Sequence, residues 1–183
     1  MRLKTKRPLS RSRKEKKAEP FDLAGETDRF FDDSSLANGP PQIVIVCGPT
    51  ATGKTRYRRQ KYATGYVVLD AAEIFISLSR GKDIDFPSFL EGALDMIGTA
   101  VAKRAIRERR NIVTEVIGHE FEPFTQLIDA MTAIGYKVDL DAIAKDPIEA
   151  WKWNLQRSDD NISAFYTEKY HRKWLVEGAS AGS

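Results

Sequence analysis

Long apolar runs are missing from this 183-residue chain. No stretch approaches the ~18 consecutive apolar residues that a membrane-spanning helix needs, which excludes a helical span. No apolar segment of the secretory type follows the basic start, so the expected location is cytoplasmic. Cysteine is nearly absent. Cys47 stands alone and has no partner for an internal disulfide; its place in an apolar run marks it as a small core residue. Internal repeats are absent too, so one domain with one core is expected. What is present is ordinary for a soluble globular domain: 42% hydrophobic and 30% charged residues, enough apolar material to bury a core.

The net charge of +3 conceals an uneven distribution. Residues 1–19 hold nine Lys or Arg against Glu15 and Glu19, a local +7, and almost nothing apolar. Such a segment has no face to bury and is expected to be disordered; its charge suits contact with nucleic acid or an acidic partner. Residues 20–41 turn acidic and end in Asn-Gly-Pro-Pro, which reads as a linker. The expected organisation is a tail and linker over 1–41, a folded domain over 42–177 and a flexible C-terminus over 178–183.

Within that domain short apolar runs alternate with helical patterns. Residues 42–47, 66–69 and 111–116 are β-branched and apolar on both faces, as buried parallel strands are. Residues 136–143 alternate more and fit a strand nearer an edge. Helices are expected over 54–63, 89–109, 122–134, 146–157 and 164–176, the second opening near Pro87 and Ser88. Within it Leu90, Leu94, Ile97, Val101 and Ala105 recur at helical spacing. Alternation of this kind predicts an α/β fold, a parallel sheet between two helical layers.

The most informative stretch joins the first strand to the first helix. Gly48, Pro49, Thr50, Ala51, Thr52, Gly53, Lys54 and Thr55 satisfy G-x-x-x-x-G-K-[ST], the Walker A phosphate-binding loop, in the strand–loop–helix setting it requires. Glycines let successive N–H groups turn toward an anion, and the helix N-terminus adds positive potential. Lys54 is placed to reach the terminal phosphates of ATP and Thr55 to ligate Mg²⁺. No guanine-reading N-K-x-D follows, which argues against a GTPase, and the remaining length suits a small kinase core of the P-loop fold.

Four further residues are candidates for the chemistry. Asp70 ends the second strand, where carboxylates can take a proton from an attacking hydroxyl; Glu73 competes for that role. Glu115, on the third strand, is placed to meet Mg²⁺ through water or to meet substrate. Arg157 follows a helix and precedes a polar loop, as do the arginines that close over a transferred phosphoryl group. The basic residues Arg56, Arg58, Arg59 and Lys61 read as a solvated helix face, His119 as polar surface, and Trp151, Trp153 and Trp174 as core or interface residues.

With these residues in view, the domain resembles the zeta-toxin family of P-loop kinases over roughly 42–175. The resemblance rests on CGPTATGKT, VVLDAAEIF, NIVTEV and the segment from LIDAMTAIGYKV to LQR. It implies transfer of phosphate from ATP, with Mg²⁺, to a hydroxyl of a small molecule, typically a sugar nucleotide such as UDP-N-acetylglucosamine. It also implies an antitoxin protein partner. By the same resemblance Lys54 and Thr55 hold nucleotide and metal, Asp70 or Glu73 is the base, Glu115 meets substrate and Arg157 binds phosphates. GPTATGKT followed by Asp70 is also similar to isopentenyltransferases that prenylate adenosine, and a nucleotide-binding module without catalysis is the third alternative.

Overall fold

The computed structural model describes residues 21–80, 90–117, 121–155 and 169–180. Four strands form one sheet: β1 (Gln42–Cys47), β2 (Val67–Leu69), β3 (Ile112–Val116) and β4 (Lys137–Ala142). Their order is β2-β3-β1-β4 and every pairing is parallel. Between and around them lie α1 (Leu23–Asp28), α2 (Lys54–Lys61), α3 (Ala71–Leu78), α4 (Glu91–Arg107), α5 (Phe121–Ala133), α6 (Pro147–Leu155) and α7 (Lys169–Ser180). The expected α/β arrangement is present, with β1 central and β4 at an edge. β1 and β3 are sealed on both faces, whereas β4 leaves Leu140 exposed.

One face of the sheet presents Ile43, Ile45, Leu69, Ile112 and Val116 to Leu94, Ile97 and Val101 of α4, Leu127 and Met131 of α5 and Leu175 of α7. The helical spacing read in α4 is thus a buried stripe. Each such aliphatic side chain stabilises the fold by roughly 1.5–3 kcal/mol through burial. The opposite face carries Val44, Val46 and Val113 beneath α2, with Tyr62 closing over them. Cys47 packs partly buried at the rim of the first cluster. Tyr136, just before β4, anchors the corner after α5 by donating its hydroxyl to the carbonyls of Ala105 (3.2 Å) and Arg110 (3.0 Å).

Two boundaries differ from expectation. The acidic stretch before Gln42 is built into the fold. Asp22 caps α1 by accepting from the Ala24 amide (3.1 Å), and Phe31 is buried with the Arg104 guanidinium 4.1 Å above its ring. Leu36 bridges to Arg110. Three of its carboxylates have partners in the fold, Asp22 as the helix cap, Glu26 with Arg29 and Asp28 with Arg104, while Phe21, Leu23 and Phe30 supply the apolar side. At the other end α7 continues through Ser180 with Ala179 buried, so the helix runs past residue 177. A Cβ on Gly178 would lie 2.9 Å from the Ile106 side chain, so α7 approaches α4 closely there. Residues 1–19, Pro87 and Ser88 lie outside the described residues, among which no helix is long and apolar enough to cross a membrane.

Candidate functional site

The loop between β1 and α2 is held at its root by the sheet. The Gly48 amide donates to the Val116 carbonyl at the end of β3 (3.2 Å), and the Ile143 amide donates to the Cys47 carbonyl (2.8 Å). Gly48 has φ +151°, and a Cβ there would collide with the Ile143 carbonyl oxygen, so the position admits glycine alone without displacement. Gly53, at φ +96°, forms the left-handed N-cap of α2 and brings no side chain of its own to cap that end. Open space lies where its Cβ would be. The Thr52 hydroxyl donates to the Pro49 carbonyl (2.9 Å). Lys54 folds over the loop, its Nζ donating to the carbonyls of Gly48 (2.7 Å) and Pro49 (2.9 Å). A helix end with glycine as its N-cap, a close-packed glycine and an ammonium at the loop mouth are what an anionic oxygen cluster requires.

Strand alternation brings the acidic residues to the same place. On β3, Ile112 and Val116 point to the α4 face, so Val113 and Glu115 point to the α2 face. Along α2, Thr55 and Arg58 lie three residues apart and share a helix face. The Thr55 hydroxyl donates to Glu115 Oε2 (3.0 Å) and Arg58 Nε donates to Glu115 Oε1 (2.6 Å). The Arg58 guanidinium also donates to Glu73 Oε1 (2.6 Å), which Arg59 reaches from outside through Nε (3.1 Å) and a terminal nitrogen (2.8 Å). Arg58 is 3% exposed. Asp70 is buried at the end of β2 and caps α3, its Oδ1 accepting from the amides of Ala72 (2.9 Å) and Glu73 (3.1 Å).

This packing sets the charge states. Burial and the neighbouring Asp70 carboxylate push the Glu115 carboxyl above its ordinary value, against the opposing pull of Arg58 and Thr55. Burial works in the same direction on Glu73, but hydrogen bonds from Arg58 and Arg59 outweigh it and hold that carboxyl below its usual range. Desolvation would weaken the Arg58 cation; the charges of Asp70 and Glu115 more than offset that and keep it protonated.

Of the residues expected from the sequence, Lys54, Thr55, Asp70, Glu73 and Glu115 gather around one corner. Arg157 and His119 lie outside the described residues, as do the side chains of Trp151 and Trp174; Trp153 is partly exposed on α6. Arg58 is the residue sequence reasoning missed. Read as part of a solvated basic face, it is instead the buried link between two carboxylates. Its register with Lys54 and Thr55, four and three residues before it, is the signal that separates it from Arg56 and Arg59. The two tyrosines of the same layer, Tyr57 and Tyr62, both donate to Asp141 of β4 and tie α2 to the sheet edge.

A model of the zeta toxin family matches residues 27–178. No curated protein matches. Among solved structures, the fold is similar to a chain from the PezAT chromosomal toxin-antitoxin system of the human pathogen Streptococcus pneumoniae. That match has a TM-score of 0.53 and 17% identity, over 73% of this chain and 58% of that one. It is also similar to a chain of the Pnkp1/Rnl/Hen1 RNA repair complex, with a TM-score of 0.50 and 15% identity over 79% of this chain and 46% of that one. The chain therefore spans little more than half the length of the first and less than half of the second. At these identities the likeness concerns the fold.

Proposed function

This chain belongs to the zeta toxin family, and from that premise we propose that it is an ATP- and Mg²⁺-dependent phosphotransferase acting on a hydroxyl of a small molecule. The family is one of P-loop kinase-like phosphotransferases, and the loop at 48–55 agrees with nucleotide binding. The observation that carries the proposal is the continuous line Lys54, Thr55, Glu115, Arg58 and Glu73 beside the buried Asp70. A phosphate cradle, a hydroxyl paired with a carboxylate and a candidate base thus occupy one corner.

The amides of 48–55 and the N-terminus of α2 would hold the phosphates, with Lys54 turning from the loop carbonyls toward them. The Thr55 hydroxyl would hold Mg²⁺, with Glu115 behind it; a hydroxyl and a carboxylate are hard oxygen donors of the kind this ion takes. The bound ion would neutralise phosphate charge. Between the two possible bases, the balance favours Asp70. Glu73 receives three N–H donors from two guanidinium groups on one oxygen, which leaves it a weak proton acceptor. Asp70 stands at the end of β2, where its Oδ1 accepts from the amides of Ala72 and Glu73. Arg157 would stabilise charge on the transferred group.

The proposed acceptor is a sugar nucleotide, the proposed partner an antitoxin protein that covers the nucleotide site, and the basic segment 1–19 an additional contact for nucleic acid or an acidic partner. The test is incubation with γ-labelled ATP, Mg²⁺ and a panel of sugar nucleotides, nucleosides and aminoglycosides, beside Lys54→Ala and Asp70→Asn. Label on an acceptor, lost in both variants, is the expected outcome. ATP bound without label on any acceptor would sink the phosphotransferase reading and favour prenyl transfer or a binding module.

A further inference from the structure

We propose that Arg58 is a positioning residue of this site: its guanidinium fork, anchored on Glu73, holds the Glu115 carboxylate against the Thr55 hydroxyl and so sets how strongly Mg²⁺ tightens the grip on nucleotide. The inference rests on the reading of 48–55 as a nucleotide site. It begins from the division of labour at Glu115. One carboxylate oxygen takes the Arg58 Nε–H at 2.6 Å and the other takes the Thr55 hydroxyl at 3.0 Å. A carboxylate bonded at both oxygens from different residues has its plane fixed.

The second arm of the fork fixes Arg58 in turn. Its terminal nitrogen meets Glu73 at 2.6 Å, so the guanidinium spans β3 and the first turn of α3. Only arginine presents parallel donors on a rigid plane; lysine offers one compact charge and can satisfy one carboxylate well. With 3% of the side chain exposed, water does not substitute for a missing arm. Arg59 reaches Glu73 from the surface but makes no described contact with Glu115, so it does not replace the link. Groups that orient a metal's own ligands typically alter its affinity by ~10–100-fold when removed.

The experiment measures binding rather than turnover. Full-length wild type, Arg58→Lys and Glu73→Ala are titrated calorimetrically with a non-hydrolysable ATP analogue, once with Mg²⁺ and once with EDTA, and their thermal melts are recorded. For Arg58→Lys the expected result is EDTA affinity within ~2-fold of wild type and a Mg²⁺-dependent gain reduced ~10-fold. Glu73→Ala keeps the Arg58–Glu115 contact and cuts one arm, so its gain falls less, ~3-fold, and it supplies the decisive measurement if Arg58→Lys does not fold. A purely structural role would weaken binding equally with and without Mg²⁺; that result, or a wild-type Mg²⁺ gain in either folded variant, overturns the proposal. Failure of the wild type to phosphorylate any acceptor would overturn the phosphotransferase reading and leave the Arg58 result standing. Failure to bind nucleotide at all would overturn both.

Discussion

The two faces of the sheet come from alternate residues of the same four strands, yet their chemistry is unlike. Toward α4, α5 and α7 the strands present Ile43, Ile45, Leu69, Ile112 and Val116, and the layer is apolar but for the buried Thr114 hydroxyl, which donates to the Leu69 carbonyl, and the Tyr136 hydroxyl. Toward α2 they present Val44, Val46 and Val113 at the centre, then Asp70, Glu115 and Asp141 at or near their C-terminal ends. The first face stabilises mainly by buried apolar area. The second holds charges out of water and therefore depends on a partner for each, which Arg58, Thr55, Tyr57, Tyr62 and the α3 amides supply. The polar layer is where removing one atom leaves another stranded, and the apolar layer is where removing one leaves a hole.

The largest effect that would sharpen this contrast is on turnover. Asp70→Asn keeps a good helix cap and is expected to lower kcat ~10²–10⁴-fold with an unchanged melt. Glu73→Gln, measured beside it, should cost far less, and the reverse order would give the base to Glu73. On the apolar face, Leu94→Ala should cost ~2–5 kcal/mol of stability through a cavity, read by denaturant unfolding, while the nucleotide affinity of the folded fraction is unaffected. A smaller loss, ~1–2 kcal/mol, is expected for Tyr136→Phe, which strips the Ala105 and Arg110 carbonyls of a donor. The smallest effect is on pH dependence. Glu73 is held below its usual range, so its contribution is present above about pH 4.3 and is lost as pH falls through the lower folded value. Glu115 is raised, so its contribution is greatest below about pH 4.3 and fades as pH rises through the folded value. Relative to wild type, the melts should therefore shift with pH below about 4.3 for Glu73→Gln and above it for Glu115→Gln, with opposite slopes. Parallel slopes would mean the two carboxylates share one environment.

Much of this is legible in the sequence. The 48–55 loop announces itself through glycine spacing, the stripe from Leu94 to Ala105 through helical periodicity, and the edge position of β4 through the alternation of Lys137, Asp139 and Asp141. Asp70 was marked by its place at a strand end. What escaped reading depends on partners distant in the chain. Phe30 and Phe31 look like part of a linker until Arg104 lies over the Phe31 ring. Arg58 looks solvated until Glu73 and Glu115 arrive from two other elements. Short α3 opens on the Asp70 cap, and the proposed base is the same carboxylate.

The order of the strands has a consequence for synthesis. β1 lies between two neighbours that are both made later: Gln42 meets Asn111, 69 residues on, and Asp139, 97 residues on. The loop that follows β1 is clamped by the Val116 carbonyl and the Ile143 amide. A chain emerging from the ribosome thus exposes its phosphate-binding corner early but leaves it shapeless until β4 has cleared the exit tunnel. Such distant pairings close slowly, so binding competence waits on β4, whatever the speed at which the first helix forms.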